Sequence, residues 1–283
     1  MGSQAEFKSL GQRPVVLITG ASSGIGKKTA LILGEEGYSV VLAARRIDRL
    51  SELAEQIRQA GGDALALGLD LSDLDQIKDL VDAVKDKYGR IDILINNAGS
   101  ARHLWLDQQS LVEDVQKQLQ VNLVGMIQLT RLALPEMIAA GRGQIVHVSS
   151  IAAWVGMPTY TIYNAAKFGS RGFMASLRRE LRGTGVVVSE IFPGAVDTDF
   201  GVDPHVKWET TTVTPAFALA SPQAVANRIL QLIRSRRARA VIPRIMWLAI
   251  WADAHFPGFV SWILSFYFYI KDGKRYSWRQ KAD

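Results

Sequence analysis

The segment PVVLITGASSGIG, residues 14–26, decides the fold of this chain. It opens with a short run rich in β-branched apolar residues, and an amphipathic pattern follows the glycines, so we predict a strand, a tight turn and a helix. Glycine lets a pyrophosphate approach the N–H groups at the start of the helix, where the helix dipole favours negative charge. The residues predicted to hold a nucleotide here are Gly20, Ser22, Ser23, Gly24, Ile25 and Gly26.

Strands and helices continue to alternate along the chain. The predicted strands are 38–44, 64–69, 91–96, 144–148 and 186–192, and the predicted helices are about 48–60, 73–88 and 107–138. Repeated strand–helix–strand units give a parallel sheet under right-handed crossovers, so the fold class is α/β. The sequence has no cysteine and four scattered histidines, which removes disulfides and gives a metal site little support.

Two arginines mark the end of the second predicted strand. Arg45 lies nineteen residues after Gly26, and Arg46 follows it. In dinucleotide folds an acidic residue at about this distance binds the ribose 2′-hydroxyl, whereas an arginine accommodates a 2′-phosphate. We therefore expect NADP(H) rather than NAD, although solvated charges at a strand end are the plainer alternative. Asp70 directly follows the third strand and is expected either to meet the adenine end of the cofactor or to cap the next helix.

Tyr163 and Lys167 are four residues apart in a segment that can form a helix. This spacing stacks a phenol and an ammonium on one helical face. A nearby positive charge favours the phenolate and lowers the phenol pKa from its usual value of about 10 towards the working pH of a general acid or base. An ordinary surface pair is the alternative when this spacing is considered alone.

An ordered set of motifs over residues 13–243 resembles the short-chain dehydrogenase/reductase family. The set consists of TGASSGIG (19–26), Asp70, NNAG (96–99), Asn122 in VNLVG, Ser149-Ser150, YNAAK (163–167) and PGAVDT (193–198). The resemblance implies a three-layer, doubly wound Rossmann fold with a seven-stranded parallel sheet, a nicotinamide cofactor and a catalytic Asn–Ser–Tyr–Lys group. We accordingly expect one catalytic domain over residues 1–243, followed by an extension over 244–283.

The resemblance also implies a role for each catalytic residue. Tyr163 is the acid/base, Lys167 lowers its pKa and holds the nicotinamide ribose, and Asn122 holds a water that connects Lys167 to solvent. Ser150, thirteen residues before the tyrosine, hydrogen-bonds the substrate oxygen, and Ser149 is its neighbour. Besides the glycine turn, Arg45, Arg46, Tyr163 and Lys167, the implied cofactor contacts are Asp70, Leu71, Asn97, Ala98, Gly99, Pro193, Gly194, Val196 and Thr198.

The substrate side is less defined by sequence. Residues 197–221 lack periodicity, and in the family such a segment forms a mobile lid that sets specificity. Four residues are expected to give the substrate pocket an apolar lining, with ordinary core packing as the alternative: Trp154, Met157, Tyr160 and Phe200. We therefore expect hydride transfer between a carbonyl and a secondary alcohol on an apolar, lipid-like substrate. The rival hypothesis is a non-catalytic NADP-binding sensor or scaffold, which would not need Tyr163, Lys167, Ser150 and Asn122 together.

Charge and aromatic residues are concentrated at the C-terminus. Residues 234–283 hold ten Lys or Arg against three Asp, a charge of +7, so the remaining body carries −1 and nucleic acid is not the expected partner. Two short apolar helices are predicted at 244–254 and 257–270, too interrupted for one membrane span. They resemble an interfacial anchor on an anionic membrane, and an arm that covers the pocket or enters a partner subunit is the alternative. We also expect a homodimer or homotetramer, and a cytoplasmic location that is peripheral on the inner face of a membrane.

Overall fold

The computed structural model describes residues 13–198, 200 and 219–272. Seven strands form one parallel sheet in the order β3-β2-β1-β4-β5-β6-β9, and two short strands, β7 and β8, pair separately. The strands are β1 (Val15–Thr19), β2 (Ser39–Ala44), β3 (Asp63–Gly68), β4 (Ile93–Asn96), β5 (Gly143–Val148), β6 (Val186–Pro193), β7 (Ala195–Val196), β8 (Leu219–Ala220) and β9 (Arg239–Ile242).

Helices cover both faces of the large sheet. They are α1 (Gly24–Glu35), α2 (Ile47–Gln59), α3 (Leu74–Tyr88), α4 (residues 111–139), α5 (Thr161–Glu180), α6 (Pro222–Ser235), α7 (Met246–His255) and α8 (Pro257–Asp272). One apolar core joins the sheet to α1, α2 and α6, and the other joins it to α3, α4 and α5. The predicted three-layer, doubly wound α/β fold with seven parallel strands is therefore confirmed.

Strand β1 shows why the central strands read as continuous apolar runs. Val16 and Ile18 point into one core, whereas Val15 and Leu17 point into the other. A parallel strand covered by helices on both faces buries every side chain, so its sequence does not alternate. The strand order reverses between β1 and β4, and ligands of open α/β sheets bind at the carboxyl ends of the strands beside such a switch point.

Helix α4 departs from a regular α-helix. The prediction placed its start near residue 107, but Leu106–Gln108 forms a separate 3₁₀ turn, and the helix starts at Leu111. Its first half contains two π-helical stretches, Leu111–Gln116 and Gln120–Val124. Irregular turns of this kind are frequent at functional sites, and the second one carries Asn122.

Helices α7 and α8 continue directly from β9 and pack against each other. Met246 and Ile250 of α7 and Val260 and Leu264 of α8 share a hydrophobic cluster with the body of the fold. Among the described residues, none of the helices is both long enough and apolar enough to cross a bilayer. The division of the chain near residue 243 stays a prediction, since the last two helices are packed onto the sheet layer.

Candidate active site

The glycine turn between β1 and α1 needs its glycines. Gly20 and Gly24 have φ angles of +66° and +54°, a region that disfavours other residues. A Cβ on Gly26 would lie 2.3 Å from the carbonyl oxygen of Gly20. Ser23 is the N-cap of α1, yet its side chain makes no capping hydrogen bond, so the first N–H groups of the helix keep the capacity to bind an anion.

Arg46 is held over this turn by the serines of the glycine motif. Its guanidinium donates to Ser22 Oγ at 2.8 and 3.2 Å and to Ser23 Oγ at 2.8 Å. The predicted binding site for the adenosine end of the cofactor is thus bordered by Arg46, whose guanidinium is already oriented by the two serines. Arg45 beside it is exposed, as the 2′-phosphate hypothesis requires.

Asp70 does not cap the helix that follows it. Asp73 is the N-cap of α3, whereas Asp70 accepts hydrogen bonds from the N–H and the hydroxyl of Ser72 at 2.9 and 2.7 Å. Burial raises the pKa of the Asp70 carboxyl, but the Ser72 bonds and the Arg45 charge outweigh it and lower the pKa below its usual value. An ionised acceptor at the end of β3 agrees with the adenine-side hypothesis and excludes the capping alternative.

The ends of β1 and β4 are joined through the predicted cofactor residues. Asn97 Nδ2 donates to the carbonyl oxygens of Thr19 and Gly20 at 2.8 and 3.2 Å, and the Ala98 N–H donates to Thr19 Oγ1 at 3.0 Å. Across the site, a Cβ on Gly24 would lie 3.2 Å from Thr198 Cγ2. The glycine turn, the NNAG segment and Thr198 therefore surround one site at the carboxyl edge of the sheet.

The other predicted cofactor residues lie on the same edge, with one qualification. Val196 belongs to β7, Pro193 ends β6, and the Gly194 N–H donates to Ile242 O at 2.8 Å. Leu71, in contrast, places its side chain in the hydrophobic core, where only 5% of the residue is exposed. Any contact of Leu71 with a cofactor would therefore be made by its backbone.

Tyr163, Ser150 and Lys167 meet where β5 ends and α5 begins. Tyr163 and Lys167 are buried on one face of α5, and the Ser150 side chain lies near enough to the Tyr163 phenol to influence its pKa. Ser150 Oγ also accepts from the Ala152 N–H at 3.1 Å, which fixes the hydroxyl at the strand end. Lys167 Nζ donates to Val148 O at 3.2 Å and lies 5.5 Å from the centroid of the Tyr163 ring. Three of the four predicted catalytic side chains are thus assembled in one place.

The protonation of this group differs from the expectation. Burial raises the pKa of the Tyr163 phenol, and the Ser150 side chain opposes that rise only in part. Burial also lowers the pKa of Lys167 from 10.5 to about 8. The Lys167 charge is not among the causes of the shift in the phenol pKa, and its ammonium donates instead to Val148 O. The expectation that Lys167 lowers this pKa is therefore not met here.

Asn122 joins the loop after β4 to the π-helical part of α4. Its Nδ2 donates to Ser100 O at 2.7 Å and to Gln118 O at 2.8 Å, and its Oδ1 accepts from the Ser100 N–H at 3.0 Å. A Cβ on Gly99 would lie 2.9 Å from this Oδ1. The side chain thus acts as a clamp between two backbone segments of the site, and its part in a proton relay stays a prediction.

The apolar surroundings of Tyr163 include a residue that the sequence did not single out. The Tyr160 and Phe200 rings lie 5.8 and 5.9 Å from the Tyr163 ring, and Met157 packs beside them. His103 packs edge-on against Tyr160 with the ring centroids 4.0 Å apart, and burial lowers its pKa to about 4. No motif marks His103, which is 57 residues away from Tyr160 in the sequence. Of the predicted lid, residues 199 and 201–218 lie outside the described residues.

Trp154 does not join this lining. Its ring lies 5.6 Å from Phe192 and 6.3 Å from Trp247, and the Arg171 guanidinium stacks over it at 3.8 Å. The substrate-pocket prediction for Trp154 is therefore corrected: the side chain belongs to the cluster beneath α7 and α8. Its position between Ser150 and Tyr163 in the chain does not reveal this, because its ring partners Phe192 and Trp247 come from distant parts of the sequence.

The sequence matches the family model of the short chain dehydrogenases over residues 14–205. The chain belongs to the short-chain dehydrogenase/reductase family. This short-chain dehydrogenase is 36% identical, over 220 residues, to the 3-oxoacyl-(acyl-carrier-protein) reductase FabG of Thermotoga maritima. The alignment covers 77% of this chain and 89% of the relative. It is therefore an enzyme of an oxidoreductase family that acts on CH–OH and C=O groups.

Solved structures resemble the short-chain dehydrogenase over most of its length. A metagenomic short-chain oxidoreductase in complex with NADP is 32% identical with a TM-score of 0.69, and the superposition covers 81% of this chain and 96% of the oxidoreductase chain. A short-chain dehydrogenase/reductase from Burkholderia phymatum in complex with NAD is 25% identical with a TM-score of 0.75, covering 84% and 92%. The family neighbours thus hold either nicotinamide nucleotide.

Proposed function

We propose that this enzyme interconverts a carbonyl and a secondary alcohol on an apolar substrate, with NADP(H) as the cofactor. The observation that carries the proposal is the buried Tyr163 phenol, which lies beside Ser150, is one helical turn from Lys167 and packs in an apolar lining. A protein that only sensed or scaffolded NADP would not need an acid and a second hydroxyl at the same buried point.

The chain's residues fit the proton chemistry of that reaction. The nicotinamide, when bound, supplies or removes the hydride. In the direction of reduction, negative charge develops on the carbonyl oxygen, and Tyr163 is proposed to deliver the proton to it. The raised pKa keeps the phenol protonated and able to donate. Ser150 is proposed to donate a hydrogen bond to the same oxygen, while Lys167 holds the ribose and Asn122 supports proton resupply.

The preference for NADP(H) is supported by Arg46. Its two serine partners, Ser22 and Ser23, belong to the phosphate-binding turn itself, so the guanidinium is positioned before any cofactor arrives. A preorganised planar guanidinium suits a phosphate dianion. Positions 45 and 46 both hold arginine, whereas binding of the NAD ribose hydroxyls would favour an acidic residue there.

The substitution Tyr163→Phe tests the proposal. The variant should keep its affinity for NADPH, because the hydroxyl alone is removed, but lose at least about a hundredfold in turnover. The assay follows NADPH oxidation against aliphatic ketones, ketosteroids and 3-oxoacyl thioesters, the last group being suggested by the name of the Thermotoga relative. Undiminished turnover by the variant would refute the acid/base assignment. Intact NADPH binding without turnover of any carbonyl by the native enzyme would favour the sensor hypothesis.

Two proposals concern partners. We propose a homodimer or homotetramer, which light scattering of the purified protein would test. We also propose that residues 244–283 bring a cytoplasmic enzyme to an anionic membrane surface, supported by their charge of +7 and their aromatic content.

A further inference from the structure

Helices α7 and α8 present apolar side chains on the side that faces away from the protein body. These exposed side chains, called here the outer face, are Trp247, Leu248, Trp251, Phe256, Phe259, Trp262, Ile263 and Phe266. Trp262 and Phe259 are 62% and 60% exposed. Single exposed apolar residues are ordinary, but a contiguous set with this many aromatics marks an interaction surface.

The outer face of α8 is ordered by ring stacking. Phe259 and Trp262 stack with centroids 6.2 Å apart, and Trp262 and Phe266 stack at 5.9 Å. Meanwhile Val260 and Leu264, on the other side of the helix, pack into the protein. A helix that is apolar on both sides is normally buried on both sides. The inner side is covered by the sheet layer, so the outer face requires a second apolar environment.

Charge decides between the two environments that could cover it. Residues 234–283 carry +7, and Arg237 and Arg244, which precede α7, are exposed. A second copy of this chain docked through the same face would bring two such segments together, and their repulsion opposes that contact. An anionic lipid surface attracts the arginines and lysines while it accepts the tryptophan and phenylalanine rings at headgroup depth.

The same helices touch the segment that carries the catalytic residues. Trp247, on the outer face, contacts Trp154, and the inner side chains of α7 and α8 pack on Ile151 and Val155. These residues lie between Ser150 and Tyr163 in the chain. A membrane bound by the outer face would therefore lie one layer of side chains away from the active-site segment.

From this arrangement, and resting on the proposed carbonyl reductase activity, we infer that the outer face docks on an anionic bilayer and that the substrate is a carbonyl compound dissolved in that bilayer. The inference explains why an enzyme with an apolar lining around Tyr163 carries its aromatic surface beside the catalytic segment. The partner is then an anionic phospholipid surface, and the substrate is a water-insoluble ketone.

Docking is tested with the full chain and phosphatidylcholine vesicles made with and without phosphatidylserine. The native enzyme should sediment with the anionic vesicles and be released by high salt. The double substitution Phe259→Ser/Trp262→Ser should lower the partition coefficient about a hundredfold, or about tenfold for each aromatic side chain withdrawn from the bilayer. Arg237→Glu/Arg244→Glu should weaken binding to anionic vesicles alone. Leu74→Ser removes an exposed apolar side chain from α3 and should change nothing.

Native enzyme that stays in the supernatant with anionic vesicles at low salt would overturn docking. So would a double variant that sediments like the native enzyme. Gel filtration without lipid gives a third decisive outcome: if Phe259→Ser/Trp262→Ser dissociates an oligomer, the outer face is a subunit interface and docking is wrong.

Turnover separates the substrate inference from the proposed function. The Phe259→Ser/Trp262→Ser variant should reduce a short, water-soluble ketone as fast as the native enzyme does, since neither residue touches the active site. With a long-chain ketone carried in anionic vesicles, its rate should fall in proportion to the bound fraction. Equal rates of the two proteins on the vesicle-borne ketone would overturn the substrate inference. No turnover of either ketone by the native enzyme would overturn the proposed function, while sedimentation would still decide docking.

Discussion

Replacing Lys167 with methionine should stabilise the protein at neutral pH. Lys167 is 3% exposed, and burial lowers the pKa of its ammonium from 10.5 to about 8. A fall of this size means that the folded chain disfavours the charged lysine by about 3 kcal/mol relative to the unfolded chain. Methionine has a similar length and no charge to desolvate. Loss of the hydrogen bond to Val148 O costs about 1 kcal/mol, so the expected net gain at pH 7 is about 2 kcal/mol.

The gain should disappear and then reverse as the pH rises. Below pH 8 both states of the native protein hold the Lys167 proton, and the folded state bears the full cost of burying it. Between about 8 and 10.5 the folded state releases the proton while the unfolded state retains it, so the native protein becomes more stable with rising pH. Lys167→Met lacks this increase in stability with pH, because it has no ammonium at position 167. Its advantage of about 2 kcal/mol at pH 7 should therefore become a deficit of about 0.5 kcal/mol near pH 10.5.

Urea unfolding followed by tryptophan fluorescence at several pH values measures the effect. All other titrating groups are common to both proteins, so the difference between the two unfolding free energies isolates Lys167. Lys87→Met, which removes an exposed lysine of α3 and therefore no buried charge, is the matched control. A pH-independent difference for Lys167→Met would show that burial of the ammonium is not the governing cost, and the reasoning would fail.

Two other substitutions examine the cofactor site. Arg46→Ala should raise the KM for NADPH about tenfold to a hundredfold through loss of a charged hydrogen bond to phosphate, and leave the KM for NADH nearly unchanged. Steady-state kinetics with both cofactors measure this change, and the control Arg49→Ala, at an exposed neighbouring residue, should alter neither KM. An equal rise for both cofactors would contradict the 2′-phosphate role. Gly26→Ala should cost about 1 to 3 kcal/mol and weaken NADPH binding, because its Cβ would lie 2.3 Å from Gly20 O. Thermal unfolding measures this cost, and the control Gly172→Ala, where a Cβ meets nothing within 4 Å, should instead gain about 0.5 to 1 kcal/mol. Similar losses for the two variants would contradict the steric argument.

The fold was predictable because local and long-range constraints agree. The β-branched run before Gly20 is buried on both sides of the sheet, and the glycines after it adopt backbone angles that few other residues tolerate. Each signal is contained in fewer than about ten neighbouring residues, as the short strands and loops of α/β units allow. The irregular start of α4 was not predictable, since π-helical turns have no comparable local signature.

The assembly of Ser150, Tyr163 and Lys167 was likewise predictable from spacing. Ser150 lies two residues after the end of β5, and the tyrosine and lysine share one face of the next helix, so a short connection fixes all three. Their protonation was not predictable. Whether Lys167 lowers the phenol pKa depends on how deeply both groups are buried, and that depends on the layers packed around them. His103 reaches the site by tertiary packing alone, through its contact with Tyr160.

The displacement of Trp154 changes how the C-terminal helices must be studied. The segment between Ser150 and Tyr163 has two faces: Met157 lies beside Tyr163, whereas Trp154 packs beneath α7. Truncation of the chain after residue 243 would uncover Trp154 and free the backbone that positions Ser150, so lost vesicle binding and lost catalysis would appear together in one variant. Substitutions on the outer side of α8 keep the inner packing intact, because inner and outer side chains lie on different sides of this helix. Only such substitutions can show whether the membrane surface acts by holding the enzyme or whether the helices matter merely as a support for the active-site segment.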